Sequence, residues 1–365
     1  MPTIVAVEVC PLAIPMREAL ATSRHAYGTM GYAIVRVTLS DGATGYGEAR
    51  ESVHITGETQ GGIIEAVRTL LGPALAGHEA DDVEGVHARM AAAADFNACA
   101  KSGIDMALHD ALGHSRGMPV AVLLGGTVRG PIASSKAISV GETGAMVAQA
   151  RRFVEAGFGT VKIKTGADPV AERTAIAAIR AECGPGLKIK LDANQAWSLP
   201  EAASFLREVE GFGIEMVEQP LPAWDLVGSA ELRRRTPIPV MLDEGVHSPQ
   251  DAYRAIAAGA CDYVNIKLLK TGGLHPAAKL VAVCESAGIA CQIGTLDTSI
   301  GSAAAAHLVH ARSNIRFAEI NGPSRIAFDL ATGFAIENGA AQVTARPGLG
   351  LEILADRLSF TQPVV

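Results

Sequence analysis

Three carboxylates recur through the middle of this sequence at nearly constant intervals. They are Asp192 in Lys190-Leu191-Asp192-Ala193-Asn194, Glu218 in Val217-Glu218-Gln219-Pro220, and Asp243 in Leu242-Asp243-Glu244. Lysine segments flank them, Lys162-Ile163-Lys164 before and Asn265-Ile266-Lys267 after. The intervals are 28 (164 to 192), 26 (192 to 218), 25 (218 to 243) and 24 (243 to 267) residues. One strand–helix unit takes roughly 30 residues, so each group falls at the same place in successive units. A single strand-tip acid is most simply a solvated carboxylate. Three on adjacent strands repel one another in a low-dielectric mouth, and a divalent cation removes that conflict. Oxygen donors without His or Cys favour Mg²⁺, with Mn²⁺ as an alternative, over zinc.

The lysines suggest proton transfer. In an eight-strand ring, Lys164 and Lys267 stand four strands apart and face each other across the mouth, with the metal ligands between. A small carboxylate substrate bound there has one lysine on each face of its α-carbon. Removing the α-proton gives an enediolate, whose charge a metal stabilises as a Lewis acid. Lys162 shares a strand face with Lys164, and its like charge is expected to lower the pKa of that base. The plainer alternative for Lys162 and Lys164 is an ion-paired barrel rim.

Such groups need a scaffold that gathers strand ends. From Ile132 to about Phe317, short β-branched runs alternate with Ala-rich helical segments, without hairpin signals between them. That texture is βα repetition with a parallel sheet. Strands are expected to end near Val140, Lys164, Asp192, Glu218, Asp243, Lys267, Gly294 and Glu319. Eight of them point to a closed α/β barrel over an open doubly wound sheet. The absence of a Gly-rich phosphate loop also weighs against dinucleotide binding. Residues 1–125 read differently: alternating strands over 3–10, 32–40 and 44–49, an Asp41-Gly42 turn, then helices over 57–76, 82–94 and 97–116. Strands followed by helices make a separate α+β unit. The barrel then occupies 126–340, and the tail 341–365, with strand-like Gln342–Thr344 and Leu351–Ile353, is expected to return to the first unit.

Composition limits the partners. The chain has 365 residues, 48% of them hydrophobic, and a net charge of -7 without any basic run, which argues against nucleic acid or a membrane surface. The N-terminus MPTIVAVEVC lacks a charged leader, and charges break every Ala-rich run. Six cysteines (Cys10, Cys99, Cys183, Cys261, Cys284, Cys291) without a CxxC pair read as reduced core residues of a cytoplasmic protein.

Taken together, Lys162-Ile163-Lys164, Asp192-Ala193-Asn194, Glu218-Gln219-Pro220, Asp243-Glu244 and Asn265-Ile266-Lys267 resemble the enolase superfamily, muconate-lactonizing-enzyme subgroup. Enolase-superfamily sites with a Lys base and Mg²⁺ are a standard worked example of pKa tuning. Ala107-Leu108-His109-Asp110, Leu123-Leu124-Gly125-Gly126 and Gly294-Thr295-Leu296-Asp297 extend the likeness over nearly the whole chain. The resemblance implies a modified (β/α)7β TIM barrel under an α+β cap, and a homo-oligomer, dimer or octamer. It implies Mg²⁺ on Asp192, Glu218 and Asp243, and Lys164 and Lys267 as the acid/base pair, tuned by Lys162. Asn194 would orient a ligand and Glu244 a lysine. Asn265–Gly273 (NIKLLKTGG), Pro222-Ala223-Trp224-Asp225 and Ile55–Thr59 look most like dipeptide epimerases. Those enzymes grip the substrate ammonium with Asp-x-Asp on the eighth strand, where this chain has Glu319-Ile320-Asn321. The expected activity is therefore racemisation or epimerisation of a dipeptide or N-substituted amino acid. The alternatives are a muconate-type lactonizing cycloisomerase, an o-succinylbenzoate-synthase-like or dehydratase lyase, or a non-catalytic paralogue. Glu319 and Asn321, Asp297 (or else a helix N-cap), and Arg24 and Tyr27 of the cap loop are the candidate substrate contacts. His25, in the same loop, reads as a solvated turn residue. Lys190 is expected to pair with a neighbouring acid.

Overall fold

In the computed structural model, which describes residues 1–21 and 26–360 and the side chains outside 18–27, the chain opens with an antiparallel meander. Strand β1 (Ile4–Ala21) pairs with β2 (Ala26–Leu39), and β2 with β3 (Thr44–Arg50). The first two strands outrun their alternating stretches because hairpin pairing carries them out to Ala21↔Ala26. Helix Ala98–Arg116 crosses β3 at very close range. A Cβ on Gly45 would lie 2.3 Å from the Ala107 carbonyl oxygen, and one on Gly47 1.9 Å from that of Gly103. The Gly-Tyr-Gly-Glu sequence of β3 is therefore a packing requirement, and it fixes Glu48 and Arg50 at the end of the strand that meets the barrel.

After a short strand β4 (Ile132–Ala133), eight parallel strands form one sheet in sequence order. They are β5 (Lys136–Ile138), β6 (Thr160–Lys164), β7 (Lys188–Asp192), β8 (Ile214–Glu218), β9 (Val240–Leu242), β10 (Tyr263–Ile266), β11 (Ala290–Thr295) and β12 (Ile315–Ile320). Ser135, just before β5, donates its backbone N–H to the Ala318 carbonyl of β12 (2.8 Å), which closes the ring. The fold is the TIM barrel with an N-terminal capping sheet. The strand period of two sorts the side chains. Val161, Ile163, Ile189, Leu191 and Val217 pack outward with Ile176 and Leu206 of the helices, while Lys162, Lys164, Lys190, Asp192 and Glu218 occupy the other face.

One expectation needs correction here. Among the described residues, no acid lies in hydrogen-bond range of Lys190; its ammonium donates to Gln292 Oε1 (2.9 Å) and lies 4.7 Å from the centre of the Phe317 ring. One layer below the mouth, a neutral amide and an aromatic face suffice for it. The tail divides its contacts. Strands β13 (Ala331–Thr332), β14 (Phe334–Glu337), β15 (Ala340–Val343) and β16 (Glu352–Ile353) follow the barrel, and β15 pairs with β14 and with β4. Beyond β15 the chain does reach the first unit: Leu349 donates its N–H to Asp110 (2.7 Å), and the Phe360 ring packs on Tyr46 and Arg36. All six cysteines are free thiols. Among the described residues, no helix is long and apolar enough to cross a membrane.

Candidate active site

Strand register assembles the site. Lys164 lies opposite Asp192 across β6–β7, and Asp192 opposite Glu218 across β7–β8, so the three stand abreast. Asp243 is the first residue after β9, and Lys267 the first after β10. Strands β6 and β10 are four positions apart in the ring, which puts Lys164 and Lys267 on opposite sides of the carboxylates. Three non-glycine residues here take left-handed backbone conformations: Asn194 (φ 45°), Gln195 (φ 67°) and Gln219 (φ 36°). Such strain collects at functional sites. Gln219 shows what it achieves: its Oε1 accepts the N–H of Asp243 (2.8 Å) and of Gly245 (3.0 Å), fixing the loop that carries the third carboxylate.

The charged groups are buried and mutually engaged. Lys164 Nζ donates to Asp192 Oδ2 (2.6 Å) and to Asn194 Oδ1 (2.9 Å), and Lys267 donates to Asp243 Oδ2. Lys162 lies 2.8 Å from Glu319, 3.1 Å from Asp192 and 3.3 Å from Glu218. Burial opposes its charge, yet these carboxylates hold its pKa well above the ordinary lysine value. Lys162 is thus engaged by three acids. Burial lifts the Glu218 carboxyl to about 7, with Lys162 opposing and Asp192 and Asp243 adding to the rise. Burial disfavours charge on Asp243 too, but Lys267 and Lys270 outweigh it and keep that carboxyl far below the usual range. Asp192 is lowered in the same way by Lys164 and Lys162 against burial.

These residues fit a hard divalent cation. Asp192, Glu218 and Asp243 are 1%, 1% and 0% exposed, offer only oxygen, and sit on consecutive strands. Among the described residues, no group of three His, Cys, Asp or Glu side chains is already drawn into a metal-holding cluster. The reason is local: ammonium groups of Lys164 and Lys267 cover the oxygens that would converge.

The other expected contacts separate. Asn194 joins Lys164 to Glu244, donating its Nδ2 to Glu244 Oε1 (3.2 Å). Glu244 makes no hydrogen bond to Lys267, but its charge adds to that of Asp243 in holding that ammonium. Asp297 is not the N-cap of helix Ser299–Ala311; Thr298 is. Asp297 instead pairs with Arg50 of β3 (3.1 Å). Glu319 lines the cavity between the lysines but is held by Lys162. Asn321 turns away: its Nδ2 donates to the Ser135 carbonyl (2.6 Å) and its Oδ1 accepts from Arg325 (3.1 Å), so it serves barrel closure. Arg24 and His25 lie outside the described residues, and the Tyr27 side chain is likewise outside the description.

Sequence reasoning passes over Arg50, Gln219 and Lys270. Arg50 is 6% exposed and lines the cavity with Ile55, Lys164, Lys267 and Leu269. Its neighbour in the pattern, Glu48, reaches the barrel as well. It accepts hydrogen bonds from Thr298 N (3.0 Å) and Gly301 N (3.2 Å) and from the Thr298 hydroxyl, capping helix Ser299–Ala311 from another domain. Burial, with the charge of Asp297, raises the Glu48 carboxyl to about 8. The Gly-x-Gly-Glu spacing on β3 is the available signal, and strand alternation alone hides it.

The structure is a closed parallel barrel with buried carboxylates on three successive strand tips and lysines on both flanks. The chain belongs to the enolase superfamily, muconate-lactonizing-enzyme subgroup. Residues 3–125 match the mandelate racemase / muconate lactonizing enzyme N-terminal domain, and residues 145–357 the enolase C-terminal domain-like family. The chain is 34% identical to the L-Ala-D/L-Glu epimerase of Bacillus subtilis over 95% of its own length and 96% of that protein. Its fold superposes on N-succinyl Arg/Lys racemase from Bacillus cereus with a TM-score of 0.95 at 30% identity, covering 99% of this chain and 100% of that one. It superposes on the dipeptide epimerase from Enterococcus faecalis, complexed with Mg and the dipeptide L-Leu-L-Tyr, with a TM-score of 0.92 at 33% identity, covering 96% and 99%. Like them, it is an isomerase.

Proposed function

We propose that this enzyme is a Mg²⁺-dependent racemase or epimerase acting at the carbon α to a carboxylate, with Asp192, Glu218 and Asp243 as the residues that hold the metal. The observation that carries this reading is the placement of Lys164 and Lys267 on opposite sides of the carboxylate triad. When bound, Mg²⁺ supplies positive charge to a substrate carboxylate as it gains enediolate character. The neutral form of one lysine removes the α-proton from its own face. The ammonium of the other delivers a proton to the opposite face, which inverts the centre. One proton leaves and one enters the α-carbon in each turnover, the roles exchange for the mirror substrate, and the two lysines reset by proton exchange with solvent before the next turnover in the same direction. Asn194 keeps Lys164 in place through the 2.9 Å hydrogen bond.

The cavity favours an N-acylated amino acid over a free dipeptide. An ammonium group needs an unpaired carboxylate. Among the described residues lining the cavity, Glu319 is the one carboxylate, and Lys162 holds it at 2.8 Å. Neutral N-acyl groups avoid that demand. The test is ¹H NMR in D₂O with Mg²⁺ and matched N-acylamino acids and dipeptides. Exchange of the α-proton with inversion is expected for the N-acyl series. Absence of exchange from both series sinks the assignment, and faster exchange from dipeptides sinks the substrate preference.

A further inference from the structure

The three carboxylates share one feature. In each, one oxygen accepts from a lysine ammonium, Asp192 Oδ2 from Lys164, Glu218 Oε2 from Lys162 (and from the Gln292 amide) and Asp243 Oδ2 from Lys267, while the other oxygen is held by a different group. Asp192 Oδ1 accepts the Asn194 N–H (3.1 Å), and Glu218 Oε1 accepts Asn265 Nδ2 (2.8 Å). For Asp243 the tie is a cation. Lys270 Nζ lies 2.6 Å from Asp243 Oδ1, 2.5 Å from the Asp243 main-chain carbonyl oxygen and 3.0 Å from that of Asn265. An ammonium has three donors, and all three are used. The Lys270 side chain is 0% exposed, whereas that of Lys267, on the opposite oxygen of Asp243, is 18% exposed. Lys267 can therefore leave Oδ2, while Lys270 is enclosed and bonded on every donor. Lys270 sits in the short helix Leu268–Thr271 that follows Lys267, so one turn of backbone places both lysines on one carboxylate.

We propose that Lys270 is a positioning residue that confines Asp243 to one-oxygen coordination and thereby makes the site selective for Mg²⁺ over Ca²⁺. This rests on the metal reading given above. Mg²⁺ takes near-octahedral, one-oxygen ligands at about 2.0–2.1 Å, whereas Ca²⁺ gains from two-oxygen carboxylates and six to eight donors at about 2.3–2.6 Å. With Oδ1 of Asp243 bonded to an enclosed ammonium, the triad offers three separate oxygens, which suits the smaller ion. Freeing Oδ1 lets Asp243 chelate with both oxygens, a gain that falls mainly to Ca²⁺. The device needs no contact between Lys270 and either substrate or metal.

The experiment is isothermal titration of the full-length, metal-stripped protein with MgCl₂ and with CaCl₂ separately, for wild type, Lys270→Met, Lys270→Ala and Lys270→Gln. Met and Ala release Oδ1 and repack the enclosed site differently, so a variant that melts near the wild-type temperature is read from either. The Gln amide keeps one donor for Oδ1. The preference for Mg²⁺ is expected to fall about tenfold in Met or Ala and to stay within about threefold of wild type in Gln, since a tenfold change is the scale of one lost coordination tie. A folded Met or Ala variant with the wild-type ratio overturns the proposal. So does Gln falling as far as Met, which would assign the effect to charge alone. If wild type binds neither ion, the metal reading itself fails; if it binds Mg²⁺ and the ratios do not move, only the role of Lys270 fails.

Discussion

Lys164 and Lys267 are the same side chain in two settings. Lys164 is shared between Asp192 and the Asn194 amide, and Lys267 rests on Asp243 alone. Burial opposes the charge of Lys267, but Asp243 and Glu244 hold its pKa above the ordinary value, so neutralising Asp243 is what frees it as a base. Each lysine serves one face, which predicts a split that a merely structural lysine does not show. Lys164→Ala and Lys267→Ala should each lower racemisation by about 10²–10⁴-fold. Each should still wash deuterium into the one enantiomer whose α-proton faces the surviving lysine, read by ¹H NMR from each pure enantiomer. Loss of exchange from both enantiomers in both variants would contradict the two-base assignment. At this scale the sequence was informative where chemistry repeats with the strand–helix period, as in Asp192, Glu218 and Asp243. Arg50 and Lys270 escaped it for a physical reason. Arg50 meets Asp297 across 247 residues, and Lys270 is only defined by the carboxylate it encloses.

Elements meet at two junctions that the strand pattern alone did not disclose. At the first, β3 of the cap docks on the barrel through Glu48 and helix Ser299–Ala311. The Glu48 carboxyl, raised to about 8, is largely protonated at neutral pH, so an amide reproduces most of its acceptor role. Glu48→Gln should change stability little. Glu48→Ala leaves buried N–H groups unpaired and should cost about 1–3 kcal/mol, with hydrogen exchange rising first in residues 298–301. Denaturant melts with exchange mass spectrometry decide this, and an Ala variant as stable as wild type would remove the clamp from the account. At the second junction, Asn321 binds the Ser135 carbonyl where β12 closes on β5. Restoring an acid there by Asn321→Asp sets a carboxylate against that carbonyl. The expected result is a loss of about 1–3 kcal/mol without any gain in dipeptide turnover. Improved dipeptide epimerisation would show that the position faces substrate after all. The residue type suggested a substrate contact, but the strand that ends at Ile320 turns the side chain toward its neighbour strand.

For the molecule as a whole, these buried acids set how stability follows pH, and the sign can be worked out. Glu218 is raised to about 7 and Glu48 to about 8 from the ordinary 4.5, so the native state keeps protons that the unfolded chain has released. Stability then falls as pH rises through that range. His247 and His307, lowered by burial to about 4, act the other way, because the unfolded chain binds their protons below its ordinary 6.5. Asp192 and Asp243 are lowered below 3.8 and Lys162 raised above 10.5, so they titrate outside this span. Between about pH 5 and 6.5 the histidines offset the glutamates; from about 6.5 to 8 these histidines no longer oppose them. Metal-stripped protein should therefore lose melting temperature steadily from about pH 6.5 to 8. Mg²⁺ should reverse the part due to Glu218, since a ligand of the native state stabilises by RT ln(1 + [L]/Kd), about 2.7 kcal/mol at a hundredfold excess over Kd. Glu48→Gln should flatten what remains above about pH 7. Thermal melts across this range, with EDTA and then with MgCl₂, separate the two contributions. A profile that rises from about 6.5 to 8 in EDTA would contradict the raised Glu218 and Glu48 carboxyls, and one that Mg²⁺ leaves unchanged would contradict metal binding at Glu218.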